Sequence, residues 1–120
     1  LDYIILYIAC IFWTLGYDTI YAYQDREDDI INGIKSTAVL FNKNGKKLVV
    51  LFYTIFLFLL GYLGYKSSGE VISLIIMLFF IFVMILCLNK WKTDSRQSSN
   101  KYFILNNYVG LFCFIYLIIF

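Results

Sequence analysis

The chain contains no histidine. That removes Ser-His and Cys-His nucleophile pairs, and every imidazole-based metal site, from the chemistry these residues can perform. It also contains no proline and only 15% charged residues, against about 25% in a soluble domain. Its three cysteines, Cys10, Cys87 and Cys113, lie inside apolar runs. They show neither zinc spacing nor a disulfide framework, and read as thiols packed between helices or facing lipid. The formal net charge of +2 is small and scattered, so no nucleic-acid partner is expected. No charged leader and small-residue cleavage site frame the first apolar run, which excludes a signal peptide. The chain opens at Leu1, inside that run, and reads as a fragment whose N-terminal portion is missing.

Apolar surface is what the chain has in quantity: 62% of residues are hydrophobic and 21% aromatic. A membrane span needs about 20 apolar residues to cross a hydrocarbon core of roughly 30 Å. The apolar runs predict an all-α, polytopic membrane helix bundle, a single domain with spans at 3–23, 48–65, 71–88 and 102–120. Residues 24–47 then form a long loop, or a loop with a short interfacial helix, with turn signals at Asn32-Gly33 and Asn42-Lys43-Asn44-Gly45. The first loop carries Arg26, Lys35, Lys43, Lys46 and Lys47, and the third carries Lys90, Lys92, Arg96 and Lys101. The second holds only Lys66. The positive-inside rule therefore turns the first and third loops toward the cytoplasm. Tyr62 and Tyr65 at one interface, and Trp91 and Tyr102 at the other, suit either aromatic-belt anchors or simple packing.

The most informative stretch is Asp18 to Ala38. Five of the eight acidic residues fall in it: Asp18, Asp25, Glu27, Asp28 and Asp29. Carboxylates at a membrane boundary need water or a cation. On a continuous helix, at about 100° per residue, Asp18, Asp25 and Asp29 share one face. Tyr21 and the small Ala22 lie on that face too. Mg²⁺ prefers hard oxygen ligands, retains several waters and commonly pairs one or two carboxylates with substrate phosphates. Lys35, ten residues after Asp25, supplies a cation suited to a phosphate oxygen. A solvated acidic loop is the plainer reading. An EF-hand fails, because its glycine position falls on Ile30 and its closing glutamate position on Ser36.

From Tyr17 the stretch reads YDTIYAYQDREDDIINGIKSTA. It resembles the second aspartate-rich motif of the UbiA family of membrane prenyltransferases. It is closest to the 4-hydroxybenzoate polyprenyltransferase branch, whose pattern is YDTxYAxxDRxDDxxxGxKSTA. Asn106-Asn107-Tyr108-Val109-Gly110 resembles the family's last helix more weakly. The resemblance implies about nine spans around a central cavity, of which these would be the last four. The family's first motif, NDxxDxxxD, is not among these residues, so the fragment alone is expected to be inactive.

The resemblance also implies chemistry: transfer of a polyprenyl group from polyprenyl diphosphate to the ring of 4-hydroxybenzoate, in ubiquinone biosynthesis. Asp25 and Asp29 would be catalytic Mg²⁺ ligands, with Asp18 a further ligand or partner. Lys35 and Arg26 would hold the diphosphate. Tyr21, Asn106 and Asn107 are candidate pocket residues, although asparagine within a span is more often interhelical glue. The protein would sit in the lipid of a bacterial inner membrane, or of the mitochondrial inner membrane. Two alternatives remain: a family member acting on another aromatic acceptor, and a non-catalytic membrane scaffold. Prenyl chain length, oligomeric state and protein partners are not legible.

Overall fold

The computed structural model describes residues 1–120. Four long helices carry the architecture: α1 (Asp2–Ala22), α4 (Gly45–Ser68), α5 (Val71–Asn89) and α6 (Arg96–Ile119). Two short helices, α2 (Arg26–Ile31) and α3 (Thr37–Phe41), and a 3₁₀ turn at Asn42–Asn44 join α1 to α4. All four long helices are long and apolar enough to cross a membrane. At about 1.5 Å per residue each reaches roughly 30 Å or more. The bundle measures 51 × 28 × 20 Å, so its long axis fits a bilayer plus interfacial ends.

Lipid is as apolar as leucine, so these helices gain little from hydrophobic burial against one another; shape and polar contacts select the packed faces. On α4 the buried stripe is Val49, Tyr53, Phe56, Leu57, Leu60, Gly61 and Gly64, at three- and four-residue spacing. On α5 it is Ser73, Met77, Ile81, Met84 and Leu88. The opposite face of α5, with Ile75, Phe79, Phe82 and Leu86, is exposed and suited to lipid. The stack of Phe80 on Phe112, with centroids 3.7 Å apart, joins α5 to α6.

Tyrosine rings laid over glycines set the closest approaches. The Tyr53 ring of α4 lies over Gly16 of α1, where an added Cβ would sit 2.8 Å from the ring. Tyr116 of α6 covers Gly64 of α4 in the same way, and Tyr23 covers Gly45. At the turn between α4 and α5, Gly69 takes a left-handed φ of 71° and its N–H caps the Tyr65 carbonyl at 2.8 Å.

The first and third loops meet at one end of the bundle. Lys46 donates to the Asn89 carbonyl at 3.0 Å, and Arg96 reaches the α1–α2 junction. Lys66 pairs with Asp2 at the other end. The alternation of loops read from charge is therefore the topology of the fold.

One helix start differs from the expected span, and one open alternative is decided. The last span was expected to begin at 102, but α6 starts at Arg96. Ser95 is the cause: its hydroxyl accepts from the Ser98 N–H at 3.1 Å and caps the helix. Trp91 is not an exposed belt anchor. It is 0% exposed, donates from Nε1 to Ser99 Oγ at 3.0 Å and meets the Tyr23 ring edge-on.

Gly16→Ala should force the Tyr53 ring away from α1 and cost about 1–3 kcal/mol, the usual range for overpacking. Thermal unfolding of the detergent-purified protein checks this; an unchanged midpoint would remove the Gly16–Tyr53 contact as a determinant of the fold.

Candidate active site

The carboxylate-rich segment begins inside α1 and ends in α2. The helix is not continuous across it. α1 stops at Ala22, and the N–H groups of Gln24 and Asp25 bond back to the carbonyls of Tyr21 and Ala22 in tight turns of 2.9 and 3.2 Å. α2 then starts with Asp25 at its N-cap. One continuous helix would have placed the acids on the C-terminal, negative end of its dipole. The restart puts Glu27, Asp28 and Asp29 into a first turn, where the backbone N–H groups favour them. The shared helical face expected for Asp18, Asp25 and Asp29 is thus replaced by a turn between two helices.

Local chemistry explains much of the segment. Thr19 is fully buried, and its hydroxyl donates to the Leu15 carbonyl one turn back at 2.6 Å. Gly33, with φ of 68°, ends α2. The following Ile34 N–H bonds the Asp29 carbonyl at 2.8 Å. Ser36 caps α3 by accepting from the Val39 N–H at 3.3 Å, and Ala38 is fully buried beneath it.

The candidate residues divide into two groups. Asp18, Asp25 and Lys35 are exposed and Asp29 is half-buried. The two ion pairs of the chain are Lys66–Asp2 and Arg96–Asp28, so no protein cation neutralises Asp18, Asp25 or Asp29. No set of three carboxylates or thiols converges into a closed cage. The donor set, hard oxygens free of basic partners, fits a divalent cation that keeps water and takes further ligands from elsewhere.

Arg26 is engaged within the fold. Its Nη2 donates to the Asn42 side-chain oxygen, while its Nε is buried without a partner. Tyr23 donates its hydroxyl to the Asn42 carbonyl. Asn42 itself has φ of 48°, a left-handed value that two partners hold in place. Burial pushes the Tyr23 hydroxyl above its ordinary range.

Tyr21 is exposed and its ring leans on Phe103 of α6, with centroids 5.0 Å apart. Asn106 sits deeper. Its Oδ1 accepts from Trp13 Nε1 at 2.8 Å and from Tyr53 at 2.6 Å. It is interhelical glue between α1, α4 and α6, while the neighbouring Asn107 is exposed.

Arg96 touches the acidic segment, a contact that sequence reasoning missed. Its Nε donates to the Gln24 carbonyl and its Nη2 to Asp28, each at 2.8 Å. A small polar cleft of about 190 Å³ lies between Gln24, Arg26, Glu27, Asp94 and Arg96. No periodic signal links residues 68 positions apart; only the lone arginine of the third loop hinted at it.

Fold and segment together define a class: a polytopic membrane protein with a carboxylate-rich segment at one end of its helix bundle. Residues 1–118 match the UbiA prenyltransferase family, and the chain belongs to that family. It is 35% identical over 111 residues to a 4-hydroxybenzoate octaprenyltransferase of Pasteurella multocida (strain Pm70), covering 92% of this chain and 38% of that one. It is 42% identical over 115 residues to the enzyme of the same name from Histophilus somni (strain 2336), covering 92% and 39%. A third of that name, from Serratia proteamaculans (strain 568), is 42% identical over 117 residues, covering 92% and 38%. The chain spans about two-fifths of the length of these relatives. No solved structure matches it.

Arg96→Ala should loosen α2 without unfolding the bundle, because an exposed ion pair contributes about 0–1 kcal/mol. Hydrogen exchange should rise across Arg26–Ile31 and stay unchanged in α4 and α5. Unaltered exchange in α2 would show that Arg96 does not restrain the acidic segment.

Proposed function

We propose that this chain contributes one wall of the active site of a membrane prenyltransferase that moves a polyprenyl group from its diphosphate to the ring of 4-hydroxybenzoate. The observation that carries the reading is the complete stretch from Tyr17 to Ala38, with Asp18, Asp25 and Asp29 free of basic partners. The names of the relatives support the acceptor. The basic first and third loops support a cytoplasm-facing site in a bacterial inner membrane.

Asp25 and Asp29 would hold Mg²⁺, with Asp18 as a further oxygen ligand or hydrogen-bond partner. Bound there, the ion would neutralise the diphosphate and act as Lewis acid and template for its departure. Lys35, exposed on the segment between α2 and α3, would contact diphosphate oxygens. Arg26 would serve mainly by holding the loop through Asn42. The apolar walls of the bundle would exclude water from the allylic cation until the ring attacks. The remaining ligands and cavity walls would come from residues outside this chain, since no three carboxylates here converge.

In the full-length protein, Asp25→Asn and Asp29→Asn should each lower turnover at least a hundredfold, in line with losing an electrostatic group at the reacting centre. Product formation from radiolabelled polyprenyl diphosphate and 4-hydroxybenzoate, with Mg²⁺ or EDTA, is the measurement. Activity within a few fold of wild type would sink the assignment. Lys35→Ala should raise KM for the prenyl donor more than for the acceptor; an effect on the acceptor alone would remove Lys35 from the diphosphate site.

A further inference from the structure

Four acids follow the end of α1: Asp25, Glu27, Asp28 and Asp29. Asp28 is not among the ligands proposed above, yet it holds the segment's one ion pair. Arg96 of α6 donates from Nη2 to Asp28 and from Nε to the Gln24 carbonyl, each at 2.8 Å. The two acceptors differ in kind. Gln24 stands in the break between α1 and α2, where no backbone N–H reaches its carbonyl; carbonyls at a helix end need a partner from elsewhere. Asp28 lies within α2. One guanidinium therefore spans the break, gripping the chain just before Asp25 and again just before Asp29.

Little else aims this segment. α2 has six residues and buries none of them. Arg26 ties its start to Asn42, and Arg96 ties it to α6. The Asp29 N–H bonds the Asp25 carbonyl at 2.8 Å, so these two residues turn as one unit. The base of the Arg96 tie is firm. Trp91 is fully buried, bonds Ser99 Oγ at 3.0 Å and meets the Tyr23 ring edge-on. The Lys92 N–H bonds Ser98 Oγ at 3.0 Å, and Ser95 caps α6. Arg96 is the first residue of that capped helix, so its side chain starts from a fixed backbone.

The geometry points to Arg96 as a positioning residue: its fork on Gln24 and Asp28 sets the direction in which α2 presents Asp25 and Asp29 to a divalent cation. This role rests on the cation site proposed above for those two carboxylates. It assigns Asp28 to Arg96 rather than to the metal, and it gives the third loop a part in the site. Fork geometry carries the role, and charge does not. A positive charge beside the acids opposes a cation, so an arginine acting by charge alone would weaken the site it touches. A guanidinium offers divergent N–H donors in one plane, which the single ammonium of lysine does not reproduce.

The test uses the full-length protein and Mn²⁺, which shares the oxygen-ligand preference of Mg²⁺ and is counted by its paramagnetic resonance. Arg96→Lys and Asp28→Glu keep every charge and break the fork. Arg96→Lys should weaken Mn²⁺ binding about three- to fivefold, the reach of one exposed ion pair. It should raise the Mg²⁺ concentration for half-maximal prenylation by a similar factor and leave KM for 4-hydroxybenzoate within twofold. Asp28→Glu should shift both metal dependences in the same direction by less, because the Gln24 bond remains. A merely structural role would lower the amount of active protein without moving either one. Unchanged metal dependences in Arg96→Lys, or an acceptor KM that rises as much as they do, overturn the inference while the enzymatic reading stands. A wild-type protein that binds Mn²⁺ but does not prenylate 4-hydroxybenzoate overturns the enzymatic reading alone; weaker Mn²⁺ binding in Arg96→Lys then still supports the positioning role. A wild-type protein with neither Mn²⁺ binding nor a Mg²⁺ response overturns both.

Discussion

One oxygen ties three helices of the bundle together. Asn106 Oδ1 takes a hydrogen bond from α1 and another from α4, in surroundings where apolar contact cannot choose between lipid and protein. Each partner reaches it because of a neighbour. Tyr53 can lie across α1 only because Gly16 has no side chain. Trp13 is held by a parallel stack on Phe56, with centroids 5.3 Å apart and planes 5° from parallel. α6 is therefore placed by polar direction as much as by packing.

The end of the bundle that carries the acidic segment obeys a different rule. Its helix α2 buries none of its residues, and hydrogen bonds do most of the holding there: Tyr23 and Arg26 on Asn42, and Arg96 on Gln24 and Asp28. Such a region opens more readily than the spans beneath it, because few buried apolar contacts must break. Asp18, Asp25 and Asp29 add like charges with no basic partner. A bound cation would remove that repulsion and stiffen the turn between α1 and α2, so binding and local order are coupled in this segment.

Spans were legible because twenty apolar residues leave few alternatives. The ends of the helices were not. The break at Tyr23–Asp25 carries no proline or glycine to announce it; it comes from the better placement of three acids in a new first turn. The early start of α6 was written in Ser95, but a serine in a polar loop has many readings until its hydroxyl is seen to accept from Ser98. Trp91 resembled an interface anchor by sequence position. Only the fold brings Ser99 and Tyr23 to its ring. Asn106 was legible as glue or as substrate contact. The structure gives the first role to its oxygen.

The strongest support for a chemical role comes from what the fold leaves unexplained in the acidic segment. Thr19, Gly33, Ser36 and Ala38 are accounted for by a back-bond, a left-handed helix end, a cap and a buried contact. Arg26 and Asp28 are tied to Asn42 and Arg96. Removing these leaves Asp18, Asp25, Glu27 and Lys35, all exposed and unpaired, and Asp29, half-buried and unpaired. Charges without basic partners, set where four spans meet water, leave room for a ligand beside the plainer reading of a solvated loop. Under the proposed function, Asp18, Asp25 and Asp29 would offer oxygen donors to a cation and Lys35 a positive charge to the diphosphate.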